Sequence, residues 1–287
     1  GLYTHSIMAV AVSRTPSGLT CKPFTTRRPR LLATIGATAQ RTSNSKSVSK
    51  NGNTEPDMDL DVAALGKYAG AITLQTGIMS GALWGLQQAS SALAASESLP
   101  GGVEGADAAK WLVTAFFLVT SIKSRIFSPL DASRPTLKGE KKAMSDRKRP
   151  SWMPPPVTFP IVWSTIGLLR GISSVMVWEA CGRDATALPL VVFCLHLAVG
   201  DCWNHINNVE RRAGVAVPGV LCCLASCVAA VAAYYNTDTT AGLVLAPSAV
   251  WISIASLLIY SIWDLNGRDP LYPTKGESEL IEQRSSA

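Results

Sequence analysis

The sequence predicts an all-α fold, a polytopic bundle of helices that span a membrane. Of its 287 residues, 47% are hydrophobic and only 16% are charged, whereas soluble domains carry about a quarter charged residues. Mean hydropathy is +0.21. The apolar residues form long runs with few charges, separated by short polar breaks. This pattern is typical of membrane helices and not of one large soluble core.

Six apolar segments follow Glu55, and each is predicted to be a helix. They cover approximately residues 65–94, 109–127, 157–179, 187–207, 214–235 and 244–264. Most reach the roughly 20 residues that a spanning helix needs. The first segment is rich in Gly, Ala and Ser. It is interpreted either as a packed helix with small residues at its interface or as a helix lying at the membrane surface.

The loops between these segments alternate in charge. Residues 123–149 carry nine basic and three acidic side chains, and the loop "ERRAG" at 210–214 is also basic, while the intervening loops are neutral or acidic. The positive-inside rule therefore predicts that both basic loops and both chain ends lie on one side of the membrane. The polar residues 267–287 are predicted to form a flexible tail.

The first 54 residues differ from the rest of the chain. They contain no Asp or Glu, eight Lys or Arg, and many Ser and Thr. This composition predicts an organelle transit peptide, more typical of a chloroplast or other plastid than of a mitochondrion. The alternative is a disordered basic tail. The sequence therefore predicts a multi-pass protein of an organelle membrane.

Motifs of soluble enzymes are missing from the sequence. It has no glycine-rich phosphate loop, no nucleophile elbow and no metal-ligand spacing. None of the seven Cys forms a CxxC pair, and five of them lie in apolar runs, so neither a disulfide framework nor a zinc site is predicted. Topology and anionic lipid headgroups explain the basic loop 123–149 better than nucleic acid does, because the loop lacks interleaved aromatic residues.

A proline-rich loop precedes the third segment, in the stretch "RPSWMPPPVTFPIVW" from Arg149 to Trp163. Prolines such as Pro154 and Pro155 fix φ and remove backbone donors, which makes the loop stiff. Trp152 adds a large amphipathic face that suits the membrane boundary. Two interpretations follow: a lid over a cavity, or an anchor at the membrane interface.

Aromatic residues of three different segments are candidate walls of that cavity. They are Phe159, Trp163, Trp203 and Trp251. Flat aromatic walls suit flat hydrophobic ligands, since stacking adds about 0.5–1.5 kcal/mol per contact. Ala255 lies one turn from Trp251 on the same face and leaves room beside the ring. Ordinary packing between helices is the alternative for each Trp.

The fourth segment is predicted to carry the only ionisable cluster at membrane depth. His196, Asp201, Asn204 and His205 share one polar arc, and Asp201 and His205 are spaced to meet. Ionisable groups inside a membrane are functional candidates, and His196 sits deepest. Alternatively, the residues from Asp201 onward already lie at the interface.

The loop and three helices resemble the TspO/MBR family. The loop stretch with "VWEACG" is similar to the family's first loop and second helix, "LHLAVGDCWNHINNVERRAG" to its third helix, and "VWISIASLLIYSIWDLN" to its fifth. The resemblance covers about residues 109–266 and implies a five-helix core, with the first segment as an extra N-terminal helix. The chain then divides into a transit peptide (1–54), an additional helix and acidic loop (55–108), the TspO/MBR-like domain (109–266) and a polar tail (267–287).

The resemblance implies binding of a hydrophobic small molecule in the bundle, for transport, sequestration or sensing. The expected ligand is a tetrapyrrole such as protoporphyrin IX or heme, or a sterol-like molecule, with no cofactor required. It also implies the lipid bilayer as a partner and a possible homodimer, while tetrapyrrole breakdown stays open. The residues predicted to contact the ligand are Trp152, Pro154, Pro155, Phe159, Trp163, His196, Trp203, Trp251 and Ala255.

Some positions depart from the family pattern. Gly200 stands where the family has Asn, Gly167 where it has Tyr, and Leu258 and Ile259 where it has a Leu-Asn pair. These departures indicate a diverged pocket. They favour the alternative function, a membrane scaffold or assembly subunit that binds no ligand.

Overall fold

The computed structural model describes residues 57–97, 102–131 and 147–285, and within these ranges the chain is all α-helical, as predicted. The transit-peptide prediction for residues 1–54 lies outside the described residues. The helices are α1 (Val62–Ala94), α2 (Gly105–Lys123), α3 (Thr158–Ala180), α4 (Leu188–Asn204), α5 (Ala213–Thr237), α6 (Thr239–Leu265) and α7 (Lys275–Ser285). A 3₁₀ turn, Ser124–Phe127, extends α2, and a π-helix, His205–Glu210, extends α4.

Five of these helices are long and apolar enough to cross a membrane. They are Gly105–Phe127, Thr158–Ala180, Leu188–Glu210, Ala213–Thr237 and Thr239–Leu265. They correspond to the five predicted segments from 109–127 onward. The chain is therefore a multi-pass membrane protein whose environment is the lipid bilayer.

The additional helix α1 lies outside this set of five, yet it packs along them. It has 33 residues, and Met79 and Leu83 are buried in the same core as Phe117 of α2. Gln75 donates a hydrogen bond to Asp201 of α4 at 2.8 Å, and Gln87 accepts one from the backbone of Ala185 just before α4 at 2.6 Å. Of the two interpretations of this segment, the packed helix is correct, and it runs antiparallel to α4. Its glycines, however, do not form the interface, because a Cβ atom added at any of them would meet no neighbouring atom of the described residues within 4 Å; larger buried side chains make the contact.

The connection between α5 and α6 is a single residue, Asp238. Its side chain caps α6 by accepting from Ala241 N at 2.7 Å. A Cβ atom at Gly242 would lie 2.5 Å from Cα of Tyr235, so only glycine allows the two helices to approach this closely. The tight turn fixes α5 and α6 side by side.

The segments predicted to lie on one side of the membrane meet at one end of the bundle, which we call the basic end. Asp61 N donates to Pro273 O at 2.8 Å, Arg147 donates to Arg211 O at 2.6 Å, and Lys148 pairs with Asn266. Residues 57–68, 147–157, 205–212 and 266–285 form this end.

The C-terminal residues differ from the flexible tail that the sequence predicts. Residues 275–285 form α7, although this segment is polar. Thr274 bridges to Leu60, the hydroxyl of Ser278 donates to Asp61, and Arg212 pairs with Glu277 at 3.3 Å. The prediction was wrong because polar contacts to the start of α1 and to Arg212, and not apolar burial, hold this helix.

Candidate functional site

The predicted aromatic residues come together near the start of α3. The rings of Phe159 and Trp251 lie 5.9 Å apart, at 66° to each other, in an edge-to-face contact. Ala255, one turn along α6 from Trp251, is buried. The indole Nε1 of Trp251 is buried without a hydrogen-bond partner among the described residues. This leaves one polar donor of the aromatic group unused.

Trp163 and Trp203 reach the same apolar cluster from α3 and α4. The cluster consists of Val220, Cys223, Cys227 and Ile252, and both indole rings pack against it. Nε1 of Trp203 donates to Ala216 O at 3.2 Å. Trp203 therefore joins α4 to α5 in the way the packing interpretation expects, and its ligand contact stays a prediction.

The proline-rich loop is fastened to the end of α6. Asn266 accepts from Lys148 N at 2.9 Å and donates to Lys148 O at 2.8 Å. Trp152 is 48% exposed, Pro154 is half-buried and Pro155 is exposed. The loop thus leads from this anchor directly into α3, which carries Phe159 and Trp163.

His196 belongs to a buried hydrogen-bond chain between three helices. Nη2 of Arg170 lies 2.9 Å from His196 Nε2, and His196 Nδ1 lies 3.1 Å from Ser226 Oγ. The Ser226 hydroxyl donates to Cys223 O at 2.9 Å. Because a guanidinium can only donate, Nε2 must accept, which assigns a neutral imidazole with its proton on Nδ1.

Arg170 is a residue that the sequence analysis missed. It is 7% exposed, and its guanidinium carbon lies 5.9 Å from the centre of the Trp163 ring. A lone arginine in the middle of a 23-residue apolar helix was the signal that could have identified it, since charges at membrane depth are costly. Arg170 links His196 to the aromatic residues.

Asp201 and His205 do not pair with each other as their spacing suggests. Asp201 accepts from Gln75 at 2.8 Å and lies 3.5 Å from Nε of Arg125. Nε2 of His205 lies 3.2 Å from Glu210. These groups tie α1 and the 3₁₀ turn to α4 next to the basic end.

Glu210 is the centre of that basic-end network. Its carboxylate accepts from Lys67 at 2.8 Å, from Arg212 at 2.9 Å, and from the hydroxyl of Tyr68. Glu210 and Arg212 are both buried. The π-helix aims Glu210 inward, towards α1.

Two of the departures from the family pattern face neighbouring helices. A Cβ atom at Gly167 would lie 3.0 Å from Cγ1 of Ile122 on α2, and one at Gly200 would lie 3.7 Å from Sγ of Cys223 on α5. Gly167 therefore permits close packing of α2 on α3. Its small size has a packing reason in addition to any effect on a pocket.

A groove of about 420 Å³ lies between α5 and α6. None of its residues was predicted as a ligand contact. Its lining is Val217, Val220, Leu221, Leu224, Ser253, Ser256, Leu257 and Tyr260. Val220 also belongs to the apolar cluster against which Trp163 and Trp203 pack, and Leu224 packs against that cluster too, so these two side chains touch both regions.

Comparison with known proteins matches the same part of the chain. The TspO/MBR family model matches residues 113–264. Protein CrtK of Rhodobacter capsulatus is 34% identical over 127 residues, which cover 43% of this chain and 79% of that protein. The translocator protein of Sus scrofa is 28% identical over 124 residues, covering 42% and 73%. The tryptophan-rich sensory protein of Cereibacter sphaeroides is 25% identical over 122 residues, covering 42% and 75%. The resemblance read from the sequence is confirmed.

Proposed function

Because this chain belongs to the TspO/MBR family, we propose that it binds a flat hydrophobic ligand inside its helical bundle. The ligand is of the tetrapyrrole class, with protoporphyrin IX or heme as candidates, or is sterol-like. The relatives are named as translocator and sensory proteins. We accordingly propose transport, sequestration or sensing of this ligand as the role.

The contact between Phe159 and Trp251 carries this proposal. It joins the start of α3 to α6 directly after the proline-rich loop, and Trp163 follows one turn further along α3. Such edge-to-face aromatic pairs can also present their rings to a third aromatic surface. The anchored loop supports a lid because its fixed backbone lowers the entropy lost when a ligand is covered.

The test is a titration of the protein with protoporphyrin IX in detergent or nanodiscs, followed by tryptophan fluorescence. We expect saturable quenching at micromolar ligand. Trp163→Ala and Trp251→Ala should each weaken binding about tenfold, the equivalent of about 1.4 kcal/mol. Trp111→Ala is the matched control, because Trp111 is 72% exposed on α2. Equal affinity in all four proteins would contradict the proposed site.

A scaffold role is the second candidate. Trp163 and Trp203 both pack against the apolar cluster of Val220, Cys223, Cys227 and Ile252, as they would in a bundle whose interior is only packed. In that case Trp163→Ala and Trp251→Ala would lower the melting temperature, and protoporphyrin IX would not saturate. Import into a plastid and homodimer formation are also proposals, which a fluorescent fusion and light scattering in detergent can test.

A further inference from the structure

Arg170 carries a buried charge that the described part of the chain leaves unbalanced. The side chain makes no ion pair within 4 Å among the described residues, and its Nε has no hydrogen-bond partner there. Its contacts include the neutral His196, the face of Trp163 and the thiol of Cys227, none of which carries a negative charge. A buried cation without a carboxylate is costly, so the site is short of one negative charge.

The guanidinium group of Arg170 is displaced from its own backbone towards the N-terminal end of α3, where the proline-rich loop ends. Helical side chains tilt towards the N-terminus of the helix. Trp163 precedes Arg170 by seven residues, roughly 10 Å along the axis at about 1.5 Å per residue, and the guanidinium reaches to 5.9 Å from its ring. The charge therefore lies next to the aromatic residues of the proposed ligand site.

Acidic side chains near this depth have other partners. Asp201 is bound directly by Gln75 and Arg125 and acts on Arg170 only from beyond ion-pair distance. Glu210 is bound by Lys67 and Arg212. On α6, the hydroxyl of Ser248 is fully buried and lacks a partner among the described residues, as does Nε1 of Trp251. Among the described residues, the interior therefore contains hydrogen-bond donors without a partner, whereas its carboxylates already have partners.

We infer that Arg170 binds the carboxylate of the ligand, and that the ligand is a flat apolar molecule carrying an acid group. This inference rests on the proposed function and narrows its substrate class. A guanidinium offers five N–H donors in a planar fork that fits a carboxylate. His196 uses one of them and, through its bond to Ser226, holds the fork in place.

The experiment compares protoporphyrin IX with its dimethyl ester, which has the same ring but no acid. We expect the purified protein to bind the free acid at least tenfold more tightly than the ester. Arg170→Gln should remove this difference, and Arg170→Lys should restore part of it. Arg183→Gln is the matched control, since Arg183 also lies over a Trp ring, 5.7 Å from Trp178, but is exposed.

The outcomes separate the two proposals. If the acid and the ester bind equally well to the unmodified protein, the role of Arg170 is wrong while the proposed function stands. If Arg170→Gln keeps the preference for the acid, the carboxylate is bound elsewhere and the inference is again wrong. Failure of both compounds to saturate contradicts the proposed function and this inference together. Melting curves of each variant show whether it has folded.

Discussion

Two buried charges of this protein have opposite surroundings. Glu210 at the basic end is 6% exposed and accepts hydrogen bonds from α1 and from Arg212. Arg170 in α3 is 7% exposed, but it faces a neutral histidine and an indole ring. The first charge is paired directly, whereas the second has no described carboxylate within ion-pair distance and interacts with Asp201 only from farther away.

The difference indicates what each charge does. When one partner of a matched buried ion pair is removed, the other charge stays buried without compensation, which destabilises the fold. A matched pair therefore holds together the helices that carry its two partners. Glu210 joins α1 to the α4–α5 connection in this way. An unmatched charge stabilises little, which favours a role in binding for Arg170.

The largest expected effect is that of Glu210→Ala. It leaves the buried Arg212 and the hydroxyl of Tyr68 without their shared acceptor, so we expect a loss of about 3–5 kcal/mol of unfolding free energy. Thermal unfolding in detergent measures it. Glu179→Ala is the control, because Glu179 pairs with Lys110 at the exposed opposite end, where ion pairs contribute about 0–1 kcal/mol. Similar losses in both variants would remove the contrast between matched and exposed charges.

A smaller effect is expected for Asp61→Asn, which tests the same end through the contact of α7 with α1. The hydrogen bond from Ser278 and the backbone of Ala64 lower the pKa of Asp61 below its ordinary value of 3.8. A lowered pKa stabilises the fold above about pH 4, and this contribution is lost as the pH falls through the folded-state pKa.

Melting temperatures of the two proteins between neutral and strongly acidic pH provide the measurement. We expect a constant advantage of the unmodified protein above about pH 4 that shrinks below it. Burial raises the pKa of the nearby Glu277, but Glu277 is present in both proteins, so the difference isolates Asp61. If the difference in melting temperature between the unmodified protein and Asp61→Asn grows as the pH falls, the lowered pKa of Asp61 is not the source of this stability.

The smallest stability effect is expected for Arg170→Gln. Glutamine removes the charge and keeps a polar head, so the cost of the lost contact to His196 is offset by the burial of one charge fewer. We expect the unfolding free energy to change by less than about 1 kcal/mol. The measurement is thermal unfolding in the absence of ligand, with Glu210→Ala measured in the same experiment. A loss as large as that of Glu210→Ala would mean that Arg170 is a structural residue.

The sequence predicted the spanning helices well because long apolar runs are a direct signal of burial in lipid. The structure places α3 at Thr158–Ala180, within about one residue of the predicted 157–179. The sequence-based prediction failed at α7, because the segment "KGESELIEQRS" lacks an apolar face. This helix is held by partners that are distant in sequence: Asp61 precedes Ser278 by 217 residues, and Arg212 precedes it by 66.

The candidate site was predicted in part. Phe159 and Trp251 were both named as candidate walls of a cavity, but their edge-to-face contact was not predicted, because it depends on how α3 packs on α6. The hydrogen bonds between Lys148 and Asn266 join residues 118 positions apart, so no local sequence pattern predicts them. Arg170 is a single basic residue within the apolar segment 157–179. It was missed because this segment was assigned from its hydrophobicity alone.

The contact between Asp61 and Ser278 has a consequence for biosynthesis. The two residues are 217 positions apart, so at about 5–20 residues per second a ribosome makes the second roughly 10–40 seconds after the first. During that interval the start of α1 lacks the partner that later fastens it. Among the described helices α1 is translated first, yet the hydrogen bond that fastens its N-cap residue forms only after α7 has been made.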